Sequence, residues 1–167
     1  MRLPAAPRLA FREMAEADLD DMAALLGDEN VMRFYPKPKT RGEASDWIIR
    51  NQRRYRAHGF GLWVINLQDS GEFVGDCGLT FQHVDGVDEL EVGYHVRASM
   101  QGRGYATEAA AASRDFARDV LAAHRLTAII HPLNVPSQRV AEKIGLTVEK
   151  RAVAPNGVEA VIYAAAW

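Results

Sequence analysis

Residues 101–108, Gln101-Gly102-Arg103-Gly104-Tyr105-Ala106-Thr107-Glu108, have the types and spacing to hold a phosphate group. Glycines and a small alanine let the main chain approach a ligand with no side chain between them. Where such a turn opens a helix, free backbone N–H groups converge at the positive end of the helix dipole and suit a phosphate or pyrophosphate. Arg103 adds a charge. Three ligand classes compete for the turn. An ATP-type phosphate loop needs four residues between its glycines, then lysine and Ser or Thr, and neither feature is present. A dinucleotide fingerprint wants glycine at its first, third and sixth positions and an acidic residue about twenty further on. The sixth position from Gly102 is Thr107, and residues 121–125 hold no acid. The coenzyme A turn, Gln/Arg-x-x-Gly-x-Gly/Ala, is met at every defined position by residues 101–106. An ordinary glycine-rich strand–helix turn is the alternative on this segment alone.

Other elements must place that turn. Residues 8–14 alternate as a strand, and residues 16–28 put Leu19, Met22, Ala23 and Leu26 on one helical face. A loop broken by Pro36 and Pro38 follows. Thr40, with Glu43 three residues later, is a capping-box pattern opening a helix to about His58, where Gly59 stops it. Residues 61–67 and 73–82 suggest a hairpin, and a second turn at 84–88 leads into a strand over 89–96. From Gly104 to about Leu121 the pattern is helical, with alanines at 109–112 that allow close approach to a sheet. Residues 125–131 read as a buried strand and 136–145 as a short helix with a glycine cap. Two final strands meet across Pro155-Asn156-Gly157, where Asn-Gly is a strong hairpin signal. The order is strand, two helices, three strands, helix, strand, helix, two strands. It predicts a mixed α/β (α+β) fold, one mostly antiparallel sheet between helices. The unit at 89–131 is the place for a parallel pair and a crevice.

Bulk composition narrows the classes. A chain of 167 residues fits one domain over 1–167, with no linker, repeat or low-complexity stretch. Its net charge of −2 provides no global field for nucleic acid or an anionic membrane. One cysteine, Cys77, excludes an internal disulfide and any multi-cysteine metal site. No apolar run approaches a membrane span, and the N-terminus is too short and too charged for a secretory signal. A cytoplasmic protein is expected, with no metal, nucleic-acid or membrane partner.

With these pieces in place, the sequence resembles the GNAT acetyltransferase superfamily, in the branch that acetylates ribosomal-protein N-termini. The resemblance runs through VMRFYPKPKTRGEASDWI (31–48), GFGLWVINL (59–67), GLTFQHVDGVDELEVGYHV (78–96), QGRGYATEA (101–109) and HPLNVPSQRVAEKIGL (131–146). It implies the GNAT fold: a twisted, mostly antiparallel seven-stranded sheet, four helices, and a V-shaped split where acetyl-CoA binds. It also implies that the backbone of Tyr94, His95 and Val96 pairs with the pantetheine arm and polarises the thioester carbonyl. The amides of Gln101, Gly102, Arg103, Gly104, Tyr105, Ala106 and Thr107 would hold the pyrophosphate. Asn134 would bond the cofactor arm, and Ser137 would lie near the sulfur.

The catalytic candidates are Glu91 and Ser137. Glu91 sits in an otherwise apolar run on the strand leading into that site. Partial burial would raise its pKa and suit it to take the amine proton, directly or through water. Its bland alternative is a structural carboxylate at a strand irregularity. Ser137 is a candidate acid for the thiolate or a cofactor contact, and equally a helix-organising serine; Asn134 is also a plausible N-cap. Two positions depart from the family: a glutamate five residues before the asparagine is Ile129 here, and a tyrosine seven after it is Ala141. His95 is another candidate base, with a structural strand histidine as the commoner case. His83 is expected on a surface loop, Cys77 and Trp63 in the core, and Trp47 more in the core than in a substrate cage. Arg50, Arg53, Arg54 and Arg56 form either a solvated helix face or an attractor for an acidic peptide or the cofactor's 3′-phosphate.

The resemblance therefore implies an acetyl-CoA-dependent N-acetyltransferase working as monomer or homodimer on a protein or peptide N-terminus. A small-molecule amine is the alternative acceptor, and a non-catalytic CoA-binding module the alternative of another class.

Overall fold

The computed structural model describes residues 2–167. The chain runs β1 (Leu9–Arg12), α1 (Leu19–Leu26), α2 (Arg41–His58), β2 (Leu62–Leu67), β3 (Phe73–Val84), β4 (Val87–Val96), α3 (Tyr105–Asp119), β5 (Arg125–Ile130), α4 (Val135–Lys143), β6 (Thr147–Val153) and β7 (Glu159–Ala166). The expected order of elements holds.

Local chemistry explains the boundaries. Helix α2 opens as a capping box: Glu43 N donates to Thr40 Oγ1 at 3.2 Å, and Thr40 N donates to Glu43 Oε1 at 3.0 Å. It ends on Gly59, which takes the left-handed conformation at φ 77°. Helix α1 is shorter than the apolar periodicity suggests, because a single 3-10 turn, Glu16–Asp18, precedes it. The Asp18 carboxylate is committed backwards, to Arg12 at 2.6 and 2.8 Å and to Ala15 N at 2.7 Å. The hairpin β3–β4 is tighter than five turn residues. Val84 pairs with Val87 across Asp85-Gly86, both at positive φ (50° and 78°), so the strands extend past the expected limits.

The strands form one seven-stranded sheet in the order β1-β2-β3-β4-β5-β7-β6. Every neighbouring pair is antiparallel except β4 and β5, which are parallel. Helices α1 and α2 cover one face, burying Met22, Leu26 and Ile48 against Leu62, Val64 and Phe73. Helix α3 and Ala141 and Ile144 of the α4 segment cover the other, with Ala109, Ala110 and Phe116 against Trp63, Cys77, Leu79 and Val92. The small face of α3 is what lets it lie close to the strands. Trp63 is fully buried, edge-on to Phe11 and Phe116 at 6.2 and 5.3 Å.

The parallel pair is short. Glu91 opposite Thr127 is its single register pair. Its closed end is pinned by Arg125, which donates to both Glu89 oxygens at 3.0 and 3.2 Å, and by Thr127 Oγ1, which donates to Leu90 O at 3.0 Å. Beyond Glu91 the strands part. Residues 92–96 stay paired to β3 on one edge and, among the described residues, meet no strand on the other.

Candidate active site

Side chains of β4 alternate across the sheet. Leu90, Val92, Tyr94 and Val96 join the α3 side, whereas Glu91, Gly93 and His95 border a cavity of about 440 Å3 that Trp47, Arg50 and Arg54 of α2 also line. A smaller cavity of about 100 Å3 lies at the split and is lined by Tyr94, Ile130, Asn134 and Ser137. Tyr35, Glu91, Gly93, Ile129 and Asn156 line both. The two spaces therefore meet where β4 leaves β5.

Glu91 is half-buried at that junction, and its carboxylate has no hydrogen-bond partner among the described residues. Loss of solvent pushes its pKa up to about 8, against the opposing pull of Arg54. A structural carboxylate would be satisfied by backbone donors; this one faces open space. Gly93 keeps that space clear, since a Cβ there would stand 3.6 Å from Glu91 Oε1.

On the smaller cavity, the Asn134 side chain caps α4, accepting from Ser137 N at 3.3 Å. Its amide nitrogen and the Ser137 hydroxyl have no protein partner among the described residues. Tyr94 reaches across the split and donates from Oη to Ser137 O at 2.7 Å. Ala141 is buried in the core, so α4 presents no phenol here.

The turn between β4 and α3 is a nest of unused donors. Gly102 and Gly104 take positive φ (76° and 83°), and α3 starts at Tyr105 without a side-chain cap. No protein acceptor meets the amides of residues 102–107 among the described residues; the first engaged amide is Glu108 N, on Gly104 O at 3.0 Å. A Cβ on Gly102 would point into open space. Gln101 differs: its amide leans on Ala98 O at 3.4 Å, and its side chain donates to Val96 O at 2.9 Å. In this turn the amides of residues 102–107 are the free ones among the described residues.

Three features were not legible in the sequence. Arg8 clamps the turn: its amide and Nε bond the Glu108 carboxylate at 2.6 and 2.7 Å, and its Nη1 and Nη2 reach Arg103 O at 3.2 Å. The same guanidinium lies over the Tyr105 ring at 4.5 Å. Second, His95 is buried in a chain of contacts, with Nδ1 2.7 Å from Asp76 Oδ1 and Nε2 2.8 Å from Tyr35 Oη. Third, Trp47 donates from Nε1 to Asp76 Oδ2 at 3.0 Å, so it belongs to the cavity wall as much as to the core.

Other candidates take plainer places. His83 is exposed and pairs with Asp88 at 2.9 Å. Cys77 is fully buried, with burial pushing its thiol up to about 12. Arg53 and Arg56 face solvent, whereas Arg50 and Arg54 line the larger cavity, on the opposite side of the sheet from α3.

Residues 8–147 match the profile of the acetyltransferase (GNAT) domain. The chain belongs to the GNAT acetyltransferase family. It is similar to an uncharacterised Bacillus subtilis protein, YkkB, at 35% identity over 86% of this chain and 84% of the relative. A second B. subtilis relative, the uncharacterised N-acetyltransferase YnaD, is 29% identical over 85% of this chain and 81% of its own. Among solved structures, an Agrobacterium tumefaciens acetyltransferase superposes with a TM-score of 0.85 at 26% identity, covering 100% of this chain and 96% of that one. Two more distant structures share the GNAT fold alone. One is a ribosomal L7/L12 alpha-N-protein acetyltransferase in complex with coenzyme A (TM-score 0.76, 17% identity, 98% and 96% covered). The other is an aminoglycoside acetyltransferase in complex with coenzyme A (TM-score 0.72, 16% identity, 95% and 94% covered). No helix among the described residues is long and apolar enough to cross a membrane.

Proposed function

We propose that this GNAT acetyltransferase moves the acetyl group of acetyl-CoA to a primary amine by direct attack, with a protein or peptide N-terminus as the acceptor. The observation that carries the reading is the opening of β4 from β5 at Glu91, together with the six unused amides of residues 102–107 that follow β4 in the chain. Acetyl-CoA supplies an activated acyl carbon; everything else is the work of the chain.

The fit of the thioester rests on this geometry. An unpaired strand edge accepts an extended, amide-bearing arm as it would another strand. The edge at Tyr94, His95 and Val96 is such an edge, and an N–H there would also stabilise the oxyanion that develops on the acyl oxygen. Amides of Gly102, Arg103, Gly104, Tyr105, Ala106 and Thr107 would hold the pyrophosphate, with Arg8 keeping the turn in shape. The free amide group of Asn134 would donate to the arm, and the Ser137 hydroxyl would stand near the sulfur and protonate it as it leaves.

Glu91 then takes the proton that an ammonium must lose before it can attack. A carboxyl with its pKa near 8 is matched to that task, because its proton affinity lies close to that of an α-amine. The larger cavity supports a peptide acceptor: Lys37, Lys39, Arg50, Thr80 and Gln82 line it with donors for main-chain carbonyls.

Thiol release from acetyl-CoA with a panel of N-terminal peptides, polyamines and aminoglycosides tests the reading. Turnover is expected on peptides. Turnover on small amines alone would replace the acceptor, and binding of acetyl-CoA with no acceptor turned over would remove the catalytic reading.

A further inference from the structure

A primary ammonium loses two protons on becoming an amide, and the proposed function, on which this inference rests, gives Glu91 only one of them. The site holds a second group with the right polarity. Asp76 is fully buried in the middle of β3, directly opposite His95 of β4. Its Oδ2 accepts from the Trp47 indole, which can only donate, and its Oδ1 lies 2.7 Å from His95 Nδ1. A carboxylate accepting at both oxygens places the imidazole proton on Nδ1. In the neutral ring Nε2 is then an acceptor, and the Tyr35 hydroxyl, 2.8 Å away, donates to it. The lone pairs of Tyr35 Oη are left for the cavity. Tyr35 lines both spaces of the junction, and Glu91 and His95 stand on either side of Gly93 on the same face of β4.

We propose that Asp76, His95 and Tyr35 form a second proton-accepting relay, in which Tyr35 Oη is the catalytic atom and the other two are positioning residues. Once the amine nitrogen has bonded the acetyl carbon, it still carries a surplus proton. That proton moves to Tyr35 Oη as the phenolic proton moves to His95 Nε2, giving an imidazolium held by the Asp76 carboxylate. The C–S bond breaks with its electron pair on sulfur, the amide leaves neutral, and His95 returns its proton to solvent. The hand-off is concerted: the phenolic proton reaches His95 Nε2 as the amine proton arrives at Tyr35 Oη, so no free phenolate forms. The relay comes from a different element than α4, where Ala141 has no hydroxyl.

Tyr35→Phe keeps the ring beside His95 and removes only the oxygen. With an amine the wild type acetylates, kcat is expected to fall on the order of 100-fold, with acetyl-CoA affinity unchanged within about twofold. Asp76→Asn should give a similar loss by inverting the imidazole tautomer, and the double variant should add little to either, as groups acting as one unit do. Nitrogen-15 NMR of the ligand-free protein reads the relay without turnover. Wild type is expected to show His95 protonated at Nδ1, and Asp76→Asn at Nε2. Unimpaired turnover by an active Tyr35→Phe variant, a rise confined to acceptor KM, or a wild-type Nε2–H tautomer overturns the relay alone. A wild type that acetylates no amine overturns the function and the relay together.

Discussion

Glu91 stands opposite Thr127 at the one register pair joining β4 to β5, so its carboxylate sits where the sheet comes apart. The pairing is enforced from the closed end by Arg125 on Glu89 and Thr127 on Leu90 O. A group so placed is withdrawn from water yet adjacent to an open edge, and this is why its proton affinity rises without a partner to satisfy it.

Replacing Glu91 with glutamine should lower turnover by about tenfold or more and leave coenzyme A affinity near wild type. With an acceptor whose amine titrates well below 8, wild-type kcat/KM should climb as pH rises through about 8, where the carboxyl ionises, and Glu91→Gln should lose that limb. Stability responds with the opposite sign. A carboxyl raised from 4.5 to about 8 binds a proton in the folded state that the unfolded state has released, so it costs stability increasingly from pH 4.5 up to 8 and by a constant amount above. Denaturant melts should therefore show Glu91→Gln equal to wild type below pH 4.5 and about 1–3 kcal/mol more stable above pH 8, a range discounted for water in the cavity.

Gly104→Val tests the phosphate cradle. Its φ of 83° strains any side chain, and a Cβ there would stand 3.4 Å from Arg8 Nη2, which holds the turn in shape. Calorimetry should show coenzyme A binding weakened by about tenfold or more. Gly86→Val meets the same strain at φ 78° in the β3–β4 turn, away from the residues that line either cavity, so it controls for folding and should bind coenzyme A normally.

Arg8→Ala releases the turn from β1. The Arg8 side chain is 49% exposed in its pair with Glu108, so a modest effect is expected, about 1 kcal/mol or roughly fivefold in coenzyme A affinity. At saturating acetyl-CoA, kcat should not change. A fall in kcat would mean the clamp shapes more than the cofactor turn.

Glycine matters differently along β3. A Cβ on Gly75 would collide with the His95 carbonyl, and one on Gly78 with the Gly61 carbonyl. Gly75→Ala should cost about 1–3 kcal/mol in thermal or denaturant unfolding and should disturb the same strand that carries the site. Gly42→Ala, in the first turn of α2 with its nearest neighbour 3.9 Å away, should instead stabilise by about 0.5–1 kcal/mol.

These contrasts show what the sequence could reveal. The α2 boundaries were legible because Thr40, Glu43 and Gly59 act within one turn of their own backbone. The conformation of the 102–107 turn was legible for the same reason, and Glu91 stood out as an acid flanked by Leu90 and Val92. Arg8 with Glu108, separated by 100 positions, and Tyr35 with His95, by 60, carry no local signal, since only the folded sheet brings them together. His95 read as a candidate base, with a structural strand histidine as the commoner case, because its partners, Asp76 and Tyr35, look ordinary where they stand in the chain. The acceptor side was the least legible, being assembled from a loop, a helix face and a hairpin that periodicity does not relate.

Hydrogen exchange with and without coenzyme A tests the central claim most directly. Binding at the split predicts slowed exchange at the amides of residues 94–96 and 102–107, with α1 and β6 unchanged. Absence of binding by the folded protein, or protection that spares both segments, would contradict it.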